Sequence, residues 1–152
     1  MKAILAIDPG ARGGVVALTE DEIIECSKCP DNANDMSLMI SHIVNHCHVE
    51  NYSLSTYIER VHAFPTDARS SAFKFGTNYG KWLGILGAYN IETILVSPQK
   101  WMKYFKEKFK FKLPKNKTER KRKLKELATK YTDKKVTLYN SDAILISVYG
   151  FI

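Results

Sequence analysis

Ala3-Ile4-Leu5-Ala6-Ile7-Asp8-Pro9-Gly10-Ala11-Arg12-Gly13-Gly14-Val15-Val16-Ala17-Leu18 decides how this chain folds. Its first five residues form a continuous apolar run, the pattern of a strand buried on both faces. Pro9-Gly10 and Gly13-Gly14 frame a turn, and Gly14 to Leu18 reads as an antiparallel strand returning beside the first. Asp8 stands one residue past the apolar run, where the first strand leaves the core.

Working outward, Glu22 to Cys26 completes a three-stranded antiparallel meander. Asp31-Asn32 offers an N-cap to a helix over 34–47, in which Met36, Met39, Ile40, Ile43, Val44 and Cys47 repeat at helical spacing. Leu54 to Ile58 is a fourth strand, with Glu59 one residue beyond it. A long helix follows over 68–89, carrying Gly76, Gly80, Gly84 and Gly87. Each glycine costs up to about 1 kcal/mol relative to alanine. Their spacing points to close packing against a neighbouring molecule, DNA or another part of this chain. Thr93 to Val96 is a fifth strand, and Ser97-Pro98 starts a short helix. Further helices are expected over 117–130 and 141–149, with a mobile loop around Pro114.

The order βββαβαβααα predicts an α/β fold: a five-stranded mixed sheet, the meander plus two parallel strands, flanked by helices. The 152 residues are enough for one domain with a full core. No repeat, low-complexity tail or interdomain linker divides residues 1–152. Met1 leads straight into a strand, and no run reaches the roughly 18 apolar residues of a membrane span. Three cysteines, an odd number, argue against a disulfide framework, so a cytoplasmic location is expected.

The net charge of +7 is unevenly placed. Residues 103–125 hold twelve Lys or Arg against Glu107 and Glu119, a local +10 on a body of about −3. Such a cluster is the footprint of a polyanion. Phe105, Phe109 and Phe111 are interleaved with it and offer stacking surfaces for bases.

Asp8, Glu59 and Asp142 each lie at the end of an apolar strand or the start of a helix. If the first and fourth strands are parallel neighbours, Asp8 and Glu59 emerge at one edge of the sheet. Asp142 opens an amphipathic helix, where an acid complements the helix dipole. Grouped carboxylates of this kind suit Mg²⁺ or Mn²⁺. Two such ions serve phosphodiester hydrolysis. Singly, each acid is also explained as a turn, strand-end or cap residue.

Ile7-Asp8-Pro9-Gly10 with Gly13-Gly14, Ile58-Glu59-Arg60-Val61, Phe73-Lys74-Phe75-Gly76, Val96-Ser97-Pro98-Gln99-Lys100-Trp101 and Asp142-Ala143-Ile144-Leu145-Ile146 together resemble the RuvC family of Holliday junction resolvases. The likeness is closest to the compact bacteriophage and chloroplast branch and spans nearly the whole chain. It implies an RNase H-like fold, a homodimer, and Mg²⁺- or Mn²⁺-dependent nicking of branched DNA such as four-way junctions, with Asp8, Glu59 and Asp142 as the metal-binding carboxylates. The family's further acid, three or four residues before the last Asp, is replaced here by Tyr139 or Leu138. Asn140 or Ser141 is then the candidate for a further metal ligand. Phe73 and Phe75 are candidates for stacking on opened bases, with a place in the core of the long helix as the alternative. Lys74, Lys100, Lys103, Lys115 and Lys117 are candidate phosphate contacts by the same resemblance.

Other readings share these residues. A fork or flap endonuclease, or a ribonuclease H, would use the same acids, and a catalytically weak branched-DNA-binding protein would keep only the lysines. No second Gly-rich phosphate loop is present, so neither an actin-like ATPase nor a small-molecule cofactor is expected. Cys26-x₂-Cys29-x₁₂-His42-x₃-His46 has zinc-finger spacing, yet Ala33 stands where the finger needs an aromatic. A strand-end cysteine and surface histidines are expected there instead.

Overall fold

The computed structural model describes residues 1–60 and 62–152; Val61, the last residue of the Ile58–Val61 motif, lies outside them. The elements are β1 (Lys2–Ile7), β2 (Gly14–Thr19), β3 (Ile23–Lys28), α1 (Ala33–Val49), β4 (Ser53–Glu59), α2 (Arg69–Ala88), β5 (Glu92–Val96), α3 (Pro98–Phe109), α4 (Lys117–Ala128) and α5 (Ser141–Gly150). The predicted order holds throughout. The helix expected over 117–130 closes earlier, because Thr129–Tyr131 tightens into a 3-10 turn.

One five-stranded sheet runs β3-β2-β1-β4-β5. β1 pairs antiparallel with β2, and β2 with β3, giving the meander; β1–β4 and β4–β5 are parallel. The β1–β4 register sets Ile7 opposite Ile58, so Asp8 and Glu59 leave adjacent strands at the same height. Neighbouring strands lie about 4.8 Å apart, which fixes the two acids at one sheet edge.

Alternation along the strands feeds two cores. Ala3, Leu5, Ile7 and Ile58 face α1 and α2, where Met36, Ile40, Ile43, Trp82 and Leu86 are buried. Ala6, Val16 and Val96 face α3, α4 and α5, where Trp101, Phe105, Leu124 and the α5 run Ala143–Ile146 close the second core. Two of the three helices on that side start on a side-chain cap. Ser97 caps α3 by accepting from the Lys100 N–H, and Pro98 takes the first turn. Asn116 caps α4 by accepting from the Thr118 and Glu119 N–H groups.

The structure corrects the aromatic reading of the basic segment. Phe105 is wholly buried in the second core, and Phe109 and Phe111 pack on its edge. Their rings are covered by this chain's own lysines, Lys130 4.9 Å above Phe109 and Lys123 5.8 Å above Phe111. They are part of the packing of α3 on α4, with Tyr131 against Phe105 and Phe109. The glycines of α2 resolve the other way: a side chain at Gly76, Gly80, Gly84 or Gly87 would meet nothing within 4 Å among the described residues, so packing against them does not explain these glycines.

The expected dismissal of the zinc-like spacing agrees with the geometry. Cys26 belongs to the second core and Cys29 to the first, while His46 bonds Glu22 at 3.1 Å. No helix among the described residues is long and apolar enough to cross a membrane.

Candidate active site

Period two along β1 and β4 sets the site's orientation. Ile7 and Ile58 point into the first core, so Asp8 and Glu59 point to the opposite side, toward α3, α4 and α5. There Asp142, in the first turn of α5, is buried at 5% exposure. The fold thus brings the three predicted acids to one edge and one face of the sheet.

Close backbone packing makes that approach possible. A Cβ on Gly13 would fall 1.9 Å from the Asp8 carbonyl oxygen, and one on Gly14 would fall 2.6 Å from the Tyr139 carbonyl oxygen. Only glycine lets the β1–β2 turn lie against Asp8 on one side and the chain entering α5 on the other. The turn is then tied down. The Asp8 N–H donates to Gly14 at 3.0 Å, and the Cys29 thiol donates to the Asp8 carbonyl at 3.1 Å.

Two further residues hold side chains of the cluster. Trp101, fully buried at the foot of α3, donates its indole N–H to Glu59 Oε2 at 2.9 Å. Lys121, on α4, donates to Asp142 Oδ2. Its charge also reaches Asp8 and Glu59. Asp142 Oδ1 is buried with no partner among the described residues.

The electrostatics record how tightly the charges are gathered. Burial, and then the Asp142 carboxylate, push the Asp8 pKa up to about 6, against the pull of Lys121 and the Gly10 N–H. Burial and then Asp8 push Glu59 up to about 8, although the Trp101 hydrogen bond acts to lower it. Burial pulls Lys121 down, but Asp142 first, and then Asp8 and Glu59, carry it above its ordinary value. Each of the three acids therefore feels another of them through low-dielectric surroundings.

Among the described residues no group of three or more His, Cys, Asp or Glu side chains is placed to hold a metal ion as it stands. The cluster still fits a hard divalent cation on two observations. Its donors are all carboxylate oxygens, one of them buried and unpartnered, and a cationic ammonium already stands in their midst. A positive charge is what this arrangement stabilises.

The remaining candidates fall in two groups. Phe73, Lys74 and Phe75 lie on the exposed start of α2, Phe73 at 75% exposure, which removes the core alternative for that ring. Phe75 approaches the Asp8 turn, its ring 3.6 Å from where a Cβ on Gly10 would be. Lys100 and Lys103 are exposed on α3, and Lys115 and Lys117 are exposed at the entry to α4, beside the element that carries Lys121. Asn140 goes elsewhere. Its oxygen accepts from the Thr137 N–H at 2.8 Å and its amide donates to the Lys135 carbonyl at 3.1 Å, so its side chain secures the turn before α5. Ser141 Oγ is buried without a partner among the described residues.

Lys121 and the role of Trp101 were not singled out from sequence. Lys121 did carry a signal: it stands in line with Leu124 and Ala128 on the buried stripe of α4, where a lysine is out of place without a partner.

No family model matches this chain, and no curated protein matches it. Solved structures do. A T. thermophilus RuvC in complex with a Holliday junction substrate superposes at a TM-score of 0.57 with 13% identity, over 97% of this chain and 91% of that one. A second Thermus thermophilus RuvC structure gives 0.55 with 17% identity, over 96% and 91%. The chain has the RuvC fold. The RNase H-like architecture implied by the sequence motifs is therefore the one observed. The RuvC likeness extends across the meander, the parallel pair and the helices of both faces, since it covers nearly all of both chains.

Proposed function

We propose that this protein is a structure-specific DNA endonuclease that hydrolyses phosphodiesters in branched DNA, four-way junctions foremost. The observation that carries the reading is the convergence of Asp8, Glu59 and Asp142 at one edge of a RuvC-type sheet, each under the electrostatic influence of another. Asp8, Glu59 and Asp142 would hold Mg²⁺ or Mn²⁺. When bound, a pair of such ions would supply Lewis-acid stabilisation of the phosphoryl oxygens and lower the pKa of the attacking water.

The chain's own groups have definable tasks. Trp101 fixes the direction of the Glu59 carboxylate through its indole N–H. The Gly13–Gly14 turn holds Asp8 against the entry to α5. Lys121 neutralises Asp142 and would add a partly buried positive charge beside the scissile phosphate. Phe73 and Phe75 offer stacking faces, and Lys74, Lys100, Lys103, Lys115 and Lys117 phosphate contacts. A homodimer suits the near two-fold symmetry of a four-way junction, offering one site to each of two opposing strands.

That no group of three or more His, Cys, Asp or Glu among the described residues is placed to hold a metal ion favours one second reading, a branched-DNA-binding protein with weak cleavage. Labelled four-way, fork and RNA–DNA hybrid substrates, each with Mg²⁺ and with Mn²⁺, separate the readings when wild type is run beside Asp8→Asn. Paired symmetric nicks at the four-way junction, absent from Asp8→Asn, are the expected result. Tight junction binding without cleavage by either protein selects the binder, and preferred cleavage of forks or hybrids overturns the junction assignment.

A further inference from the structure

The first half of α2 has little to hold it. Its fully buried residues, Trp82 and Leu86, lie in the second half, and Arg69 to Thr77 are exposed except for Ala72. Ala68 provides no side-chain cap, no acid occupies the first turn, and Gly76 and Gly80 weaken the helix where it leaves the body. Two contacts of this half, among the described residues, land on the turn after Asp8. Asn78 donates its side-chain amide to the Pro9 carbonyl. The Phe75 ring edge lies against Gly10.

That turn also lies beside the Asp8 carboxylate, whose Oδ1 is 4.0 Å from where a Cβ on Gly10 would be. The Gly10 N–H faces the carboxylate. Pro9 is buried, and Asn78 is the one hydrogen-bond partner of its carbonyl among the described residues. A buried carbonyl left without a partner is costly, so the turn moves to find one when Asn78 cannot donate. Movement at Pro9–Gly10 shifts the Gly10 backbone that lies beside the Asp8 carboxylate.

We infer that Asn78 is a positioning residue for Asp8: by pinning the Pro9 carbonyl it couples the seating of the exposed α2 start to the geometry of the acid cluster. Phe73 and Lys74 stand at the free end of the same lever, two turns or less from the pin. Substrate pressing on that end is then transmitted to Asp8 without touching it. The inference rests on the proposed metal-dependent nuclease reading, and it adds a residue that does not belong to the acid motifs.

Asn78→Asp tests it most sharply, because the shape is nearly kept while the donor is replaced by an acceptor facing the Pro9 carbonyl. Asn78→Ala removes the group, and Asn78→Gln keeps an amide donor. Mn²⁺ binding in the absence of DNA, followed by calorimetry and by the Mn²⁺ electron paramagnetic resonance signal, is the primary readout. Both Asn78→Asp and Asn78→Ala are expected to weaken Mn²⁺ binding on the order of 10-fold, as loss of an outer partner of a ligand does. Asn78→Gln should recover part of that loss. On junction DNA, kcat should fall for the first two variants while the junction Kd measured in EDTA changes little. Amide exchange of residues 69–77 and of Gly10 should quicken in Asn78→Asp, with exchange in β1 and α5 unchanged, which separates a released lever from a misfolded chain. Mn²⁺ affinities equal to wild type in both variants would overturn the inference. If wild type binds Mn²⁺ but nicks no branched substrate, the nuclease reading fails and the Mn²⁺ ratios still decide the role of Asn78. If wild type binds no Mn²⁺, both fail.

Discussion

Two helices, α5 and α2, bring residues to the same sheet edge and could hardly be more different. α5 is buried from Ser141 through Ser147 and runs across the second core, so Asp142 is fixed by packing on every side. α2 is moored mainly in its second half, where Trp82 and Leu86 are buried, and it offers Phe73 and Lys74 to solvent with a bare glycine face alongside. The contrast separates two demands on one site. Charged groups that must meet within a few ångströms are built on the most rigid element, whereas groups that must fit a large, variable partner sit on the least constrained one.

The largest effect should come from the rigid side. Asp142→Asn and Asp8→Asn are expected to abolish strand cleavage while four-way junction binding, read by gel shift, persists. Loss of binding along with cleavage would erase the division of labour between α5 and α2. Next, Lys121→Met should cost on the order of 10²-fold in the cleavage rate, the scale of a preorganised charge lost from a site. It should also raise the demand for divalent ion in thermal scans, because Asp142 then lacks its counter-charge.

A pH series probes the same cluster without mutation. Asp8 and Glu59 are held above the ordinary carboxylate range, at about 6 and about 8, so the folded state favours their protonated forms. Their contribution to stability is complete below about pH 4 and is lost as pH rises through 6 and then 8. The metal-free Tm should therefore fall over that window, and Mg²⁺ or Mn²⁺ should restore it most at the alkaline end. A flat metal-free profile would mean that the three charges are not gathered as described.

The smallest effects belong to α2. Phe73→Ala should weaken junction binding by about 1–3 kcal/mol if the ring stacks on a base, with Tm unchanged because the ring is exposed. Gly84→Ala should raise stability by up to about 1 kcal/mol, since a methyl group there meets open space. A drop in stability or in dimer formation on Gly84→Ala would show that the glycine face is covered in solution.

What could be read from the chain follows the same division. Strand alternation, the Met36–Cys47 stripe and the Gly13–Gly14 turn are local patterns that mark the elements, whereas the parallel β1–β4 pairing that brings Asp8 beside Glu59 is a long-range contact and stood in the sequence only as a condition. Lys121 hid among twelve basic residues, because charge density carries no address; only its place on the buried stripe of α4 marks it. Asn78 and Pro9 are 69 positions apart, and an asparagine in mid-helix gives no local sign of a distant carbonyl. Asn140 stands near the expected further ligand position in sequence, yet the chain turns at Thr137 and spends its amide there. Phe105 alternates with lysines in sequence but faces inward on α3, because a helix sorts neighbours onto different sides.

The ammonium beside Asp142 has a bearing on the life history of the molecule. A cluster of like charges ordinarily resists assembly until a counter-ion is found, but here the polypeptide brings one of its own. Maturation of the chain can thus finish in surroundings poor in magnesium. On the proposed metal-dependent reading, arming is then a separate and later event, governed by ion supply and by arrival of the substrate rather than by synthesis.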